Sequence, residues 1–378
     1  MTAPRPVGIF VHHQGRGHVQ RAGALARALL PARPVTLFTA DPDAVPAPVR
    51  AAGAEVIALP SLFQPTGLEA PAMQAEPAPR TVHCAPLGWP GIRAAMARMA
   101  RWFDEADPAL MIADVSAEVA QLARLCSVPH VKVLQHGTRT DAAHRAAYDG
   151  AVGLLAPCHT ALAQPEWADW AGRIHYAPGL GVPPAADRIG ARQALGLDLG
   201  RRLVVVAAGA GAGEAGSSAS VAVGARAMPD ALWVTIGPLA RDWHATDPGN
   251  LRHLGWTDRA ADWLAAADLV VSSAGNSVTH EVLALGKPWI VIPQWCYFDE
   301  QLLKAQALAA AGVAHAPGGW PASAEGWDAA VAAALAGHDP DRARALYDPD
   351  AAAGAAAWVE TLIARLWAGA PPPPRTSS

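Results

Sequence analysis

The chain has 378 residues, of which 52% are hydrophobic and 16% are charged, and its formal net charge is −4 at pH 7. This length exceeds that of a usual single-core domain, so two domains are expected, and the apolar content argues against disorder. No basic block accompanies the net negative charge, so nothing in the charge pattern suggests a nucleic-acid partner.

The sequence also shows no pattern of a membrane span, a signal peptide or a metal-binding cysteine pair. No apolar run reaches the roughly 20 residues that a bilayer span needs, and the N-terminus lacks the regions of a signal peptide. The four cysteines are scattered without a CxxC pair or other metal-binding spacing. We therefore expect a cytoplasmic protein with reduced thiols.

The N-terminal half alternates between short apolar runs and amphipathic segments. The runs predict strands over 7–11, 35–39, 55–59, 110–113 and 130–135. The amphipathic segments predict helices over 19–30, 92–105 and 117–126. Such alternation is typical of a parallel sheet that is covered on both faces.

A glycine- and proline-rich stretch over 178–184 is interpreted as an inter-domain linker, after which a second alternation begins. Its predicted strands cover 203–208, 231–236, 269–273 and 289–293, and its helices cover 217–228, 258–266 and 278–285. We expect an α/β fold with Rossmann-like domains over 1–180 and 185–354 and a cleft between them. A helix over 355–367 must pack on something, and the N-terminal domain is one possibility; a disordered tail is expected over 370–378.

The most informative stretch is SSAGNSVTHE at 272–281, followed by DEQ at 299–301. A strand ends at Ser273 and a helix begins near Ser277, so unpaired first-turn amides would face the cleft as a site for a pyrophosphate. Gly275 lets the backbone approach that ligand. Glu281 lies one turn into the helix and outside the position of a capping box, so it is free to accept hydrogen bonds from a ribose.

At these residues the sequence resembles the C-terminal domain of family 28 glycosyltransferases and the wider UDP-glycosyltransferase superfamily. The resemblance implies the GT-B architecture, with the donor in the C-terminal domain and the acceptor in the N-terminal domain. It implies a diphosphate site, a ribose site and a sugar site, formed respectively by Gly275, Asn276 and Ser277, by Glu281, and by Glu300 with Gln301.

Two further residues bear on the predicted donor site. Trp256 resembles the aromatic that stacks on the base in these enzymes, with a core position as the alternative. Lys304 stands where relatives often carry Asn, so contacts at the end of the donor pocket are expected to differ.

A second glycine loop begins after the strand over 203–208. Gly211 belongs to a literal GxGxxG pattern, but the next strand ends without the acid that a dinucleotide fingerprint needs, so NAD binding is rejected. We expect Gly209 and Gly211 to line the cleft beside the donor; an ordinary surface loop is the alternative.

The catalytic candidate is His18, in the loop GRGHVQR at 15–21 that opens the first helix. A neutral imidazole suits removal of a proton from an attacking hydroxyl, and many members of the resembled family carry a histidine at this junction as the base. Gly17 lies in the same loop, and Arg21 would neutralise phosphate charge or pair on the surface. Asp114 follows a strand and is the candidate acid that orients His18, with a helix cap as the alternative.

Other features are interpreted as structural. Asp41-Pro42-Asp43 and Asp348-Pro349-Asp350 resemble a metal-binding DxD motif but are typical of proline turns, so no metal is expected. The basic amphipathic helix over 92–105 is expected to pack on the core, and contact with a membrane surface is left open.

These features predict an inverting, metal-independent glycosyltransferase that uses a nucleotide sugar, with UDP favoured, as co-substrate and no further cofactor. A nucleotide-sugar hydrolase is the alternative, since some share the Gly-x-Gly-His-x-x-Arg pattern of 15–21. The acceptor, a natural product, a glycan or a lipid-linked sugar, stays open. Residues 61–90 are expected to form its wall, because this connection is long and carries apolar residues among prolines.

Overall fold

The structure is a computed structural model that describes residues 4–12, 15–183, 186–209, 217–240 and 246–369. The predicted tail over 370–378 and Gly211 lie outside the described residues.

The N-terminal domain contains seven parallel strands. They are β1 (Val7–Val11), β2 (Val35–Thr39), β3 (Glu55–Ala58), β4 (Leu110–Ala113), β5 (His130–Val133), β6 (Gly153–Ala156) and β7 (Ile174–Tyr176). Their order in the sheet is β3-β2-β1-β4-β5-β6-β7. The helices of this part are α1 (Arg16–Leu29), α2 (Ala47–Ala51), α3 (Pro71–Gln74), α4 (Pro90–Ala106), α5 (Ala117–Leu125) and α6 (Ala142–Gly150).

The C-terminal domain contains five parallel strands. They are β8 (Leu203–Ala207), β9 (Leu232–Ile236), β10 (Leu251–Gly255), β11 (Leu269–Ser272) and β12 (Trp289–Val291), in the order β10-β9-β8-β11-β12. The helices that follow along the chain are α7 (Arg188–Leu195), α8 (Ser218–Ala227), α9 (Ala260–Ala266), α10 (Asn276–Leu285), α11 (Glu300–Ala310), α12 (Ala324–Ala336), α13 (Pro340–Arg344) and α14 (Ala351–Leu366). The predicted α/β fold with two parallel sheets is confirmed.

Both sheets reverse their strand order at one point. In the N-terminal sheet β1 lies between β2 and β4, and in the C-terminal sheet β8 lies between β9 and β11. The connections that leave neighbouring strands there diverge to opposite faces and open a crevice at the carboxyl ends of the strands. The segments that carry most of the predicted site residues follow β1, β4, β8 and β11, so the fold brings them to the two crevices; Trp256 follows β10, and Glu300 and Gln301 follow β12.

Helix α4 buries its apolar face and exposes its basic face. Its Ala95, Met99, Trp102 and Phe103 are buried against the N-terminal sheet, whereas Arg93 and Arg98 are exposed. The predicted core role of this helix is what the structure shows. No helix within the described ranges is long and apolar enough to cross a membrane.

Helix α14 returns to the N-terminal domain. Its Ala355, Val359 and Ile363 are buried in the same core as Leu25 and Leu29 of α1. It begins at Ala351, four residues before the predicted start.

The stretch over 178–184, predicted as a linker, is packed where the structure describes it. The space beside Gly179 is filled by Tyr347, and the Pro178 carbonyl accepts the Asp348 amide at 2.9 Å. A Cβ at Gly181 would lie 2.6 Å from the backbone of Arg21, and Leu180 is buried. Residues 178–182 therefore connect the two halves of the chain while their contacts hold them against α1 and residues 347–348.

Candidate functional site

The loop after β1 and the loop after β4 bring His18 and Asp114 together. Nδ1 of His18 lies 2.8 Å from Oδ2 of Asp114. The two residues are 96 positions apart in sequence, and they meet because β1 and β4 are neighbours in the sheet. Asp114 is buried, whereas the His18 side chain is 18% exposed.

Arg21 completes this group. Its Nη2 donates to Oδ1 of Asp114 at 2.6 Å and lies 2.6 Å from Nδ1 of His18. Arg21 is buried at 4% exposure, so the alternative of a surface ion pair is wrong. The predicted phosphate contact would have to compete with this pairing, because the guanidinium is committed to Asp114.

These contacts indicate which nitrogen of the ring carries the proton. Arg21 Nη2 has Asp114 Oδ1 as an acceptor, and within the described ranges the His18 ring is the hydrogen-bond donor for Asp114 Oδ2. Both carboxylate oxygens have a donor when Nδ1 carries the proton and Arg21 Nη2 is directed at Oδ1 instead of at the ring, so we assign the proton to Nδ1, which leaves the lone pair on Nε2. This is the tautomer of a general base.

The Asp114 carboxyl is held in its ionised form. Its burial alone would raise the pKa, but the charges of Arg21 and His18 and their hydrogen bonds lower the pKa well below its usual value. Asp114 is thus a permanent negative charge behind the ring, which orients His18 and stabilises its protonated form.

The turn that presents Asp114 is strained. Val115 has φ of 66°, a left-handed conformation that is unfavourable for a β-branched residue. Strain of this kind persists only where surrounding contacts impose it, and it is concentrated at functional sites.

The C-terminal half of the site is the N-terminus of α10. The N-cap residue, Gly275, gives no side-chain hydrogen bond, so the first amides of the helix lack a cap. The helix begins at Asn276, one residue before the predicted start. A Cβ at Gly17 would lie 2.9 Å from Oγ of Ser277, so the loop of His18 contacts this helix start across the cleft.

Gly275 itself is not demanded by the packing of the chain. Its φ of −63° suits any residue. A Cβ there would meet only Ser273 Oγ and Val278 Cγ1, both at the ordinary distance of 3.8 Å. The packing of the chain therefore leaves open space beside the backbone of Gly275.

Glu281 lies on the same helix and is half-buried. Burial raises the pKa of its carboxyl. No hydrogen bond or ion pair to Glu281 is present within the described ranges. A desolvated acceptor without a partner is suited to a ligand that brings its own donors.

Glu300 and Gln301 begin α11. Oε2 of Glu300 accepts from Arg139 of the N-terminal domain at 3.0 Å, and Oε1 lies 3.8 Å from Nζ of Lys304. Burial would raise the pKa of Glu300, but Lys304 and Arg139 lower it. The Gln301 side-chain oxygen accepts the amides of Ala274 and Gln294 at 3.1 Å each. Gln301 therefore joins the loop before α10 to the loop after β12, and its NH2 group is the part left for a sugar.

Lys304 is a functional candidate in its own right. It is 2% exposed, and its Nζ donates to Oδ1 of Asn276, the first residue of α10. A lysine at the position where Asn is frequent in the resembled family thus adds a buried positive charge beside the helix start.

The remaining predicted donor residues within the described ranges are Trp256 and Gly209. Trp256 is 62% exposed and follows β10, so the core alternative is wrong. The Arg16 guanidinium lies 5.6 Å from its ring centroid. Gly209 is half-buried and follows β8.

Residues 61–90 lie over the His18 side of the cleft and include the short helix α3. The Phe63 ring is 4.6 Å from His12, whose ring is 5.3 Å from that of His18. Leu68, Met73 and Leu87 are exposed. Glu118 of α5, which sequence reasoning missed, accepts the amides of His83 and Cys84 at 2.7 Å each and so anchors the segment.

The two DxD-like motifs are turns. Asp41 caps a short 3-10 helix by accepting the Ala44 amide at 3.3 Å, and Asp348 accepts the Asp350 amide at 2.9 Å. Within the described ranges, no group of three His, Cys, Asp or Glu side chains is arranged to hold a metal ion.

Solved structures with the same two-sheet fold are known. The structure titled as the glycotransferase of kitacinnamycin superposes with a TM-score of 0.66 at 17% identity, over 96% of this chain and 100% of that one. The calicheamicin glycosyltransferase CalG4 superposes with a TM-score of 0.64 at 18% identity, over 98% and 100% of the two chains. The fold is therefore the GT-B architecture, as the sequence predicts.

The family comparison concerns the C-terminal domain. The model of the glycosyltransferase family 28 C-terminal domain matches residues 240–316, which contain α10 and α11. A Clavibacter michiganensis subsp. michiganensis protein, named UDP-N-acetylglucosamine--N-acetylmuramyl-(pentapeptide) pyrophosphoryl-undecaprenol N-acetylglucosamine transferase, is 33% identical over 130 residues. The match covers 34% of this chain and 35% of the relative, so it spans about a third of that protein. The predicted resemblance to family 28 is confirmed.

Proposed function

We propose that this protein is a glycosyltransferase that moves a sugar from a nucleotide sugar to an acceptor hydroxyl. The observation that carries the proposal is the His18–Asp114 pair opposite the uncapped start of α10, with Gly17 against Ser277. A base and an anion site thus face each other across one cleft. The family match in the C-terminal domain and the transferase names of the relatives support the same reaction.

The donor lies on the C-terminal domain in this proposal. The amides of Asn276 and Ser277 bind the diphosphate, and Glu281 accepts hydrogen bonds from the ribose. Trp256 at the rim stacks on the base, and Glu300 and the NH2 group of Gln301 contact the sugar. The name of the relative, which contains UDP-N-acetylglucosamine, favours UDP as the nucleotide.

The chemical step is a single displacement. The acceptor oxygen attacks the anomeric carbon as its proton passes to Nε2 of His18. The bond from that carbon to the phosphate oxygen breaks, and the diphosphate leaves with the electron pair. One displacement inverts the anomeric configuration.

Leaving-group charge is stabilised by the protein in this proposal. The α10 amides supply fixed dipoles, and Lys304 adds a positive charge beside Asn276. Arg21 acts on Asp114 and His18 instead of on the phosphate. We propose that no metal is required.

The test is a panel of UDP- and dTDP-sugars, scored by calorimetry for binding and by mass spectrometry for transfer. A β-linked product from an α-linked donor, read from the anomeric proton coupling, is expected. Retention of configuration would contradict the single displacement. Activity in EDTA is expected to equal that without EDTA, and a loss that Mn²⁺ restores would overturn the metal-independent step.

A further inference from the structure

A buried lysine beside Asp114 has no part in the reaction as described so far. Lys132 lies on β5, and its Cα is paired with that of Ala113, the residue before Asp114. It is 1% exposed. Lysine is rarely buried to this extent unless its ammonium group has strong partners.

The partners of Lys132 lie in the strained turn. Its Nζ donates to the Val115 carbonyl at 2.8 Å and to the Val133 carbonyl at 3.2 Å. Val115 is the residue with φ of 66° that directly follows Asp114. The lysine therefore binds the carbonyl of the residue that has the strained conformation.

We propose that Lys132 is a positioning residue, which fixes the Asp114–Val115 turn and so directs Asp114 at Nδ1 of His18. The catalytic importance of the His18–Asp114 pair rests on the proposed function. The placement of the turn by Lys132 does not depend on it.

Electrostatics around the lysine agree with this role. Burial lowers the pKa of Lys132 to about 7, while the Asp114 charge opposes that effect. Arg139 and Arg21 also lower the pKa, and Glu118 raises it. The Asp114 charge therefore favours the charged form of Lys132, and the hydrogen bond to the Val115 carbonyl is the contact that links the lysine to the turn.

The chain offers a matched control. Lys287 is also buried, and its Nζ donates to the Ala265 and Ala267 carbonyls at 2.7 and 2.9 Å. Burial lowers its pKa to about 8. It lies after the C-terminal end of α10, away from His18, so Lys287→Met removes a comparable lysine without touching the Asp114 turn.

The experiment reads the His18 ring by long-range ¹H–¹⁵N NMR, which does not depend on turnover. The unchanged protein is expected to show a neutral ring protonated on Nδ1. Lys132→Met should give a mixture of both tautomers, as Asp114→Ala should, whereas Lys287→Met should keep the original pattern. A Lys132→Met ring that stays protonated on Nδ1 would overturn the proposal.

A second variant tests whether Lys132 acts by positioning the turn or through its charge or its packing. Glycine adopts positive φ without strain, so the turn in Lys132→Met/Val115→Gly no longer needs the lysine. The double variant should recover the Nδ1–H tautomer, and it is the variant to use if Lys132→Met alone does not fold. A double variant with mixed tautomers would contradict the proposal.

Kinetics supply the link to the proposed function. With an active donor and acceptor pair, Lys132→Met should lower kcat by about 10²-fold, the cost of a misplaced catalytic group, with the donor KM unchanged. The double variant should recover most of this loss. If no sugar transfer is found with any substrate, the NMR result still decides the role of Lys132, so the two proposals fail separately.

Discussion

At the scale of single residues, the site depends on partners that are distant in sequence. Asp114 is contacted by two residues of α1, and all three side chains meet at the carboxyl ends of β1 and β4. The Asp114 charge orients the imidazole and stabilises the imidazolium that forms when a proton is accepted. Loss of the ring should therefore affect the chemical step and spare binding.

The first prediction concerns His18→Ala. Turnover should fall by roughly 10²–10⁴-fold, the usual contribution of a general base, while calorimetry with UDP should give an almost unchanged affinity. His175→Ala is a suitable control, because His175 stacks on Trp358 at a centroid distance of 5.0 Å at the edge of the N-terminal sheet. Normal turnover of His18→Ala would place the base elsewhere.

The second prediction concerns the pH dependence of donor affinity. Burial raises the pKa of Glu281, so this carboxyl takes up a proton at a higher pH than an ordinary glutamate. The ribose contact needs the carboxylate, so nucleotide affinity should fall as the pH is lowered through this raised pKa.

Glu281→Gln tests that dependence directly. Affinity at neutral pH should weaken by roughly 1–3 kcal/mol, and its acid-side pH dependence should largely disappear. Glu325→Gln, an exposed change in the first turn of α12, should behave as the unchanged protein. A Glu281→Gln protein with unchanged affinity would remove Glu281 from the ribose role.

The sequence predicted those residues whose chemistry has a local pattern. His18 lies in a glycine loop before a helix, and Glu281 lies one turn into a helix that follows a second glycine turn. Both residues could therefore be named from spacing and resemblance. Lys132 could not, because HVKV reads as an ordinary core strand and its partner Val115 lies 17 positions away. The Arg21 contact with Asp114 was missed for the same reason.

At the scale of elements, the apolar runs predicted most strands to within one or two residues. Strands β1, β2 and β4 have the predicted bounds, since each is a short buried run followed by a glycine or polar turn. Strands β6, β7 and β10 were missed. β7 has only 3 residues, and β10 carries Arg252 and His253 instead of a continuous apolar run.

The third prediction concerns the segment over 61–90. Glu118→Ala removes the acceptor for the His83 and Cys84 amides, so these amides should exchange with solvent about tenfold faster or more. Hydrogen exchange measures this directly. Because the segment is the predicted acceptor wall, the acceptor KM should rise while the donor KM stays the same.

Glu55→Ala is the control for Glu118→Ala. Glu55 lies on β3 of the same domain and accepts from Thr36 Oγ1 at 2.8 Å, so its replacement removes a glutamate contact away from the segment. If Glu118→Ala instead weakens donor binding and leaves acceptor KM unchanged, the segment serves the donor, and the assignment of the acceptor to this wall is wrong.

At the scale of the whole molecule, the domains meet through residues of the site. Arg139 pairs with Glu300, and the Thr138 amide donates to the Phe298 carbonyl at 2.7 Å. Phe298 has φ of 64° and packs on His83, His144 and Arg139 of the other domain. The contact between the domains thus positions Glu300, the acid that is proposed to contact the sugar.

We propose that this arrangement favours a transferase over a hydrolase. A transferase must keep water from the anomeric carbon and admit a larger nucleophile, which the apolar segment over 61–90 and the inter-domain contact favour. A hydrolase needs no such wall. The central claim is that an acceptor, and not water, completes the reaction.

The most direct measurement is the rate of nucleotide release from a bound nucleotide sugar, with and without acceptor. The proposed function predicts slow release by the enzyme alone and a much faster rate once an acceptor is supplied, with the sugar recovered on the acceptor. Rapid, saturable release of free sugar without any acceptor would contradict it and establish the hydrolase.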